Sequence, residues 1–315
     1  MNPILWFAVV FVILLILFGS VVLYFCKFAI FRTKESQKRK KEKPHKETEF
    51  ERMYMPRIKS GIQWFKDKSP ERKWITSHDG LRLAADYLPA EDAKGTLIVV
   101  HGYRSSNFLD FSCVFELYHS WNYNILAVHD RAHGESDGKY IGFGILDRYD
   151  VLDWVNYAVE NIGGDIFLDG MSMGASTVLM TSGFELPKNV KGIIADCGFT
   201  SPWEECKHVL KRNFKLPAFP LLHICSFAVK CIAGYSLDEY STLDALKTNK
   251  IPILFIHGAK DSFVPTYMGK QNYEACIAEK EILIVDDAEH AESFLKETER
   301  CKQILKNFLD KYTEK

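Results

Sequence analysis

No C-x-x-C pair occurs among the eight cysteines at 26, 113, 197, 206, 225, 231, 276 and 301. That leaves neither a zinc site nor a thioredoxin-like redox site to expect. Seven cysteines lie outside the first apolar run, an odd number, which fits free thiols in a reducing compartment rather than a disulfide framework. No internal repeat appears. From Ile4 to Cys26 there is no charge at all, 23 residues reading ILWFAVVFVILLILFGSVVLYFC. No basic start precedes this run and no A-x-A-like exit follows it, which argues against a cleaved leader. A helix of that length spans a hydrocarbon core of about 30 Å, so an uncleaved membrane anchor is expected.

Charge of one sign is also scarce in the N-terminal part. Residues 1–46 carry nine of the 40 Lys/Arg but only two of the 41 acids, and the remainder is mildly acidic. Nothing in that remainder suggests a nucleic-acid surface. The basic residues all follow the apolar run, from Lys27 and Arg32 to Lys46, so the C-terminal side is expected in the cytoplasm of a single-pass cell-membrane protein. The run FRTKESQKRKKEKPHK reads as a solvated linker beside anionic lipid. The chain then divides into an anchor over 1–31, a basic juxtamembrane linker over 32–70, and an α/β domain over 71–315.

What that domain does contain is alternation. Apolar, β-rich runs fall at 73–77, 81–88, 96–100, 124–129, 165–169, 191–196, 251–256 and 281–286. Segments of helical period occupy 145–162, 173–183, 266–278 and 291–312. The pattern predicts a largely parallel sheet covered by helices on both faces, with a more polar antiparallel entry pair. Residues 200–248 break the rhythm. Pro202, Pro217, Pro220, several aromatics and two helical candidates (203–212 and 221–233) predict a cap above the active edge.

Gly170-Met171-Ser172-Met173-Gly174 sits where the run 165–169 gives way to a helix. Glycines on either side relieve a sharp strand-to-helix turn that leaves a strained serine exposed at its tip. A hydroxyl needs a base, and the base needs an orienting carboxylate. Both follow in chain order: Asp261 after the strand IPILFIHG, and His290 after EILIVDD. Rival acids are Asp196, Asp286 and Asp287. Rival histidines are His101, His129, His133 and His257, all at strand ends or glycine turns, where structural hydrogen bonds are the usual role. An oxyanion would be held by the N–H groups of Met173 and, from the loop HGYRSS, of Tyr103.

TLIVVHGY, VHDRAHGESDG, GMSMGAS, HGAKDSFVP and DAEH together resemble the α/β-hydrolase superfamily. More closely they are similar to its membrane-anchored bacterial serine hydrolases, related to acyl thioesterase-like and serine-aminopeptidase-like members. The resemblance covers about residues 70–312. It implies an eight-stranded, mostly parallel sheet, a Ser172–His290–Asp261 triad, no cofactor, no metal, and hydrolysis through an acyl-enzyme. Ala132 stands where many relatives have glycine, which bears on loop geometry alone.

The substrate is less legible. Phe199, Trp203, Phe214, Leu216, Phe219, Leu221, Leu222 and Phe227 suggest an acyl or aryl ester as small-molecule partner, or else the cap's own core. Carboxylesterase is the leading expectation, with thioesterase, lipase-like and peptidase activities behind it. A peptidase needs an acidic anchor for a peptide amine, and Glu204, Glu205, Asp238 and Glu239 are available, though such residues usually make a solvated face. A non-catalytic, membrane-tethered binding protein is the alternative of another class. If the apolar run is only an anchor, removing residues 1–46 leaves a soluble, active domain.

Overall fold

The computed structural model describes residues 3–32 and 48–313. Of the basic linker expected over 32–70, residues 33–47 lie outside the described residues. Eight strands form one sheet in the order β1-β2-β4-β3-β5-β6-β7-β8. They run over Glu71–Thr76, Arg82–Leu88, Gly95–Val100, Tyr123–Val128, Asp165–Met171, Val190–Asp196, Ile253–Gly258 and Lys280–Val285. β1 pairs antiparallel with β2, and β2 antiparallel with β4, whereas β3 through β8 are parallel. Each predicted run lies on a strand, displaced by only a residue or two at its ends.

The period of two along a strand explains how one sheet supports two cores. Leu97 and Val99 of β3 join Phe65, Phe115, Leu305 and Phe308 on one face. Their neighbours Ile98 and Val100 join Trp154, Val155, Val178 and Leu179 on the other. Buried on both faces, β3 and β4 read as apolar runs apart from Thr96 and Asn124, where the Asn124 amide donates to the Thr96 hydroxyl at 3.1 Å.

Helices α1 (Pro3–Ile30) and α2 (Glu49–Asp67) precede the sheet. After β3 come α3 (Asn107–Asp110) and α4 (Ser112–Ser120); α5 (Asp147–Asn161) and α6 (Met173–Thr181) flank β5. The cap holds α7 (Pro202–Val209), a wider turn at Leu210–Phe214, α8 (Leu221–Ala233) and α9 (Thr242–Leu246). Finally α10 (Thr266–Ala275), α11 (Ser293–Lys296) and α12 (Thr298–Tyr312) surround β7 and β8. The segment expected as one helix over 291–312 is thus two, parted at Glu297, whose backbone leaves the helical region (φ −121°, ψ 58°).

The largest departure from expectation is α2. A stretch expected within the linker is a helix with Ile58 and Phe65 buried, and Phe65 stacks on Phe115 at 4.2 Å. Pro56 and Gly61 inside it lower intrinsic helix propensity and hide it in the sequence. Gly61 has a packing role: a Cβ there would lie 2.0 Å from the Ser112 carbonyl oxygen, so only glycine lets α2 rest on the start of α4.

α1 has a mean hydropathy of 3.0 over its most apolar window, and most of it projects from the domain. Its C-terminal end does not. Val22, Cys26 and Ile30, one side of the helix at i, i+4 and i+8, are buried against cap residues that include Leu222, Cys225 and Val229.

Candidate active site

β5 ends at Met171 and α6 begins at Met173, so Ser172 alone makes the turn. Its backbone lies at φ 56°, ψ −115°, a region costly for any residue with a Cβ. The turn persists because its surroundings fix it. A Cβ on Gly170 would meet the Gly174 carbonyl oxygen at 2.3 Å, and one on Gly174 would meet that of Val100 at 1.9 Å. Backbone atoms of a central strand cannot retreat from such a contact. Gly174→Ala is therefore expected to lower the thermal midpoint by roughly 5–10 °C. A melt followed by circular dichroism checks this; an unchanged midpoint would show that the helix need not approach β3 so closely.

Ser172 Oγ lies 2.9 Å from His290 Nε2, and His290 Nδ1 lies 2.7 Å from Asp261 Oδ2. The loops bearing Asp261 and His290 meet because β7 ends in Gly258, where a Cβ would strike the Ala288 carbonyl oxygen at 2.3 Å. The other Asp261 oxygen accepts from the amides of Phe263 and Val264, both at 2.9 Å. Burial acts to raise the pKa of this carboxyl, but hydrogen bonds from His257 and His290 outweigh it and hold the value down at about 2. The site thus keeps a charged, fully oriented acceptor behind the imidazole.

The rivals hold other positions. Asp196 accepts the Ser172 amide through its main-chain oxygen, and its side chain, with Oδ1 unpartnered, borders a cavity of about 520 Å³ that His290 also lines. Burial there raises its pKa to about 6. Asp287 pairs with Lys260 at 2.6 Å on the surface, and Asp286 is exposed. His101, His129 and His133 each have both ring nitrogens within hydrogen-bond distance of a backbone or carboxylate partner. His257 Nε2 lies 2.9 Å from the Val264 carbonyl oxygen, which leaves it bracing the Asp261 loop. His101, Asp130 and His133 bring possible metal-ligand atoms within 4.8 Å of one another, yet the ring nitrogens in this group are already bonded. Arg131 holds Asp150 at 2.6 Å and Asp79 at 2.9 Å, and Ala132 sits at φ 61°, a conformation that explains why glycine suits its place.

The loop after β3 lies against the elbow. A Cβ on Gly102 would come within 3.3 Å of Ser172 Cβ, and the Gly102 amide is fixed by Asp110 at 2.7 Å. Tyr103 follows directly. Met173, the other expected oxyanion donor, opens α6, where an amide has no acceptor within the helix. Asp110 went unnoticed in the sequence because a carboxylate in a short helix carries no motif.

A cavity of about 200 Å³ adjoins Ser172. Its lining includes Phe199, Phe214 and Leu222 of the cap, with Tyr103, Phe143 and Met173 below. Phe219 and Phe227, also expected there, are instead 73% and 71% exposed. Glu205 departs from the solvated acidic face expected of it: it is 5% exposed, borders the cavity, and has no partner for either carboxylate oxygen. Burial, with the Asp261 charge adding, pushes its pKa up to about 8. An acid raised in this way binds a proton in the folded chain that the unfolded chain releases. Its contribution to stability therefore falls as pH rises from about 4.5 to 8. Glu205→Gln is expected to unfold at a higher urea concentration than the parent at pH 8, with the difference vanishing by pH 4. An equal difference at both pH values would mean that Glu205 is not held neutral.

Comparison with known proteins adds three findings. The chain is 30% identical over 238 residues to the uncharacterized protein YqkD of Bacillus subtilis, covering 75% of this chain and 78% of that one. It superposes on the Pyrococcus furiosus esterase Pf2001 with a TM-score of 0.65 at 25% identity, over 79% of this chain and 94% of the other. It is 24% identical over 212 residues to the α/β hydrolase domain-containing protein WAV2 of Arabidopsis thaliana, covering 65% of this chain and 66% of that one.

The chain belongs to the α/β-hydrolase superfamily. No family model matches it. The sheet edge where β5, β7 and β8 end carries Ser172, Asp261 and His290, and the segment inserted between β6 and β7 supplies cap residues to the cavity beside Ser172. In this α/β hydrolase the cap is stitched to the site itself: His208 Nε2 and Arg212 both reach Ser262, next to Asp261, at 3.0 Å.

Proposed function

We propose that this α/β hydrolase is a serine esterase that cleaves carboxylic esters through an acyl-enzyme on Ser172. The reading rests on one observation above others: the unbroken chain of contacts Ser172 Oγ–His290–Asp261, at 2.9 and 2.7 Å, opening onto an apolar cavity. The fold shared with an esterase supports it.

Ser172 attacks the ester carbonyl while His290 Nε2 takes the hydroxyl proton, and Asp261 stabilises the imidazolium that forms. The amides of Tyr103 and Met173 receive the oxyanion. As the intermediate collapses, His290 returns the proton to the departing alcohol. Water, deprotonated by the same imidazole, then attacks the acyl-enzyme and releases the acid and the serine. Thioesters fit the same steps. Glu205, neutral and unpaired at the cavity wall, offers a proton donor to a substrate oxygen more readily than a charged anchor for a peptide amine, which favours esters over peptides.

The same proposal takes the part of α1 that precedes Lys27 as a membrane span, with the catalytic domain on the cytoplasmic side where Lys27 and Arg32 lie. The test uses the full chain in detergent with a fluorophosphonate probe and p-nitrophenyl esters of rising acyl length. Labelling of Ser172 and turnover of some ester are expected. A folded protein that neither labels nor turns over any ester overturns the reading and leaves a binding protein in its place.

A further inference from the structure

α1 does more than project from the domain. The last carbonyls of a helix have no partners within it, and here the catalytic loop supplies them. Tyr103 Oη donates to the Ala29 carbonyl at 2.8 Å, and the Arg104 guanidinium donates to those of Phe28 and Phe31 at 2.5 and 3.3 Å. The cation also suits the negative end of the helix dipole. Beyond the helix, the Ile141 amide donates to the Ile30 carbonyl at 2.7 Å and the Arg32 amide to that of Lys139 at 2.9 Å. These bonds bring α1 to the residue expected to hold the oxyanion.

The consequence is visible in the cavity beside Ser172. Phe25, Phe28 and Ala29 are part of its wall, with Phe25 set against Phe214 of the cap at 4.9 Å. The lining runs from Ser172, 7% exposed, out to Phe28, 45% exposed. Above the docked turns, Pro3–Val21 measures about 28 Å, close to the thickness of a hydrocarbon core. The cap beside it shows Leu216, Phe219, Ile224 and Phe227 to solvent, interspersed with exposed Lys211, Lys215 and Lys230. Apolar side chains among lysines are the composition of a surface that rests in a headgroup layer.

We propose that the C-terminal turns of α1 are a wall of the acyl-binding site, and that the substrate is a membrane-lipid ester whose chain enters from the bilayer between α1 and the cap. This rests on the serine-esterase reading above and adds to it a substrate class and a route.

Full-length protein in lipid nanodiscs tests it, with acyl esters from acetyl to palmitoyl as substrates. Ala29→Trp narrows the wall and is expected to lower the palmitoyl-to-acetyl turnover ratio tenfold or more, about the discrimination that small volume changes in apolar pockets produce. Phe28→Ala widens it and should move the optimum toward longer chains. Leu17→Trp, on the exposed part of the span, should leave the profile as it was. A palmitoyl ester dissolved in the nanodisc lipid should turn over at least as fast as the same ester presented on albumin. Fluorophosphonate labelling of Ser172 in every variant keeps the two readings apart. Labelling retained with an unchanged chain-length profile in both wall variants overturns the acyl-wall proposal alone. Faster turnover from albumin than from the bilayer overturns the route. Loss of labelling in the parent protein overturns the esterase reading instead.

Discussion

Ser172→Ala is expected to lower ester turnover about a million-fold and to abolish fluorophosphonate labelling, with the fold retained. Only one oxygen is removed, from a side chain already 7% exposed, and no neighbour depends on it except His290. The elbow offers a finer comparison. At φ 56° alanine is as strained as serine, whereas glycine enters that region freely. Ser172→Gly should be equally inactive yet melt at a higher temperature than Ser172→Ala. A gain in stability from deleting a nucleophile's side chain would locate strain at the turn. Equal midpoints would show that the turn is relaxed, and turnover within about a hundredfold of the parent in either variant would remove Ser172 from the proposed chemistry.

Asp261→Asn is expected to lower turnover about ten-thousand-fold with little change in KM. One carboxylate oxygen takes the amides of Phe263 and Val264, so the asparagine oxygen must stay there and its NH2 must face His290. A donor in that place requires an unprotonated Nδ1, which moves the imidazole proton to Nε2, the atom that should accept from Ser172. The group that orients the base then disarms it. The stability consequence has a defined pH window. Because the folded chain holds this carboxyl near 2, against 3.8 ordinarily, its ionised form stabilises the protein above pH 3.8 and that contribution is lost as pH falls toward 2. Urea midpoints of parent and variant should therefore converge on acidification through that interval. Turnover within tenfold of the parent would transfer the orienting role to another acid, with Asp196 first in line.

Much of this was legible in the sequence because it depends on local pattern. The strands announce themselves as β-branched apolar runs, and the elbow as a serine between glycines at a strand's end. Asp261 and His290 follow from their places in the loops after two such runs. What escaped depends on contacts between distant parts. α2 looks like a broken helix on propensity, since its Gly61 makes sense only once the Ser112 carbonyl is above it. Glu205 is indistinguishable on paper from Glu204, yet Glu204 pairs with Lys207 in solvent while Glu205 is buried without a partner. The docking of α1 relies on its own main-chain carbonyls, which every residue possesses and no motif records.

Those main-chain bonds also decide how many degrees of freedom the catalytic domain retains. A domain on a slack tether can tumble, and its reactive serine samples every height and bearing above the plane beneath it. Here Ile30 and Arg32 are paired with Ile141 and Lys139, while Arg104 grips Phe28 and Phe31 from another side. Attachment from two directions removes the swivel. With α1 upright in a bilayer, as proposed above, Ser172 would be held at a single depth, and an ester would be selected by where along the molecule its scissile bond lies, as by a ruler, before any pocket contact is made.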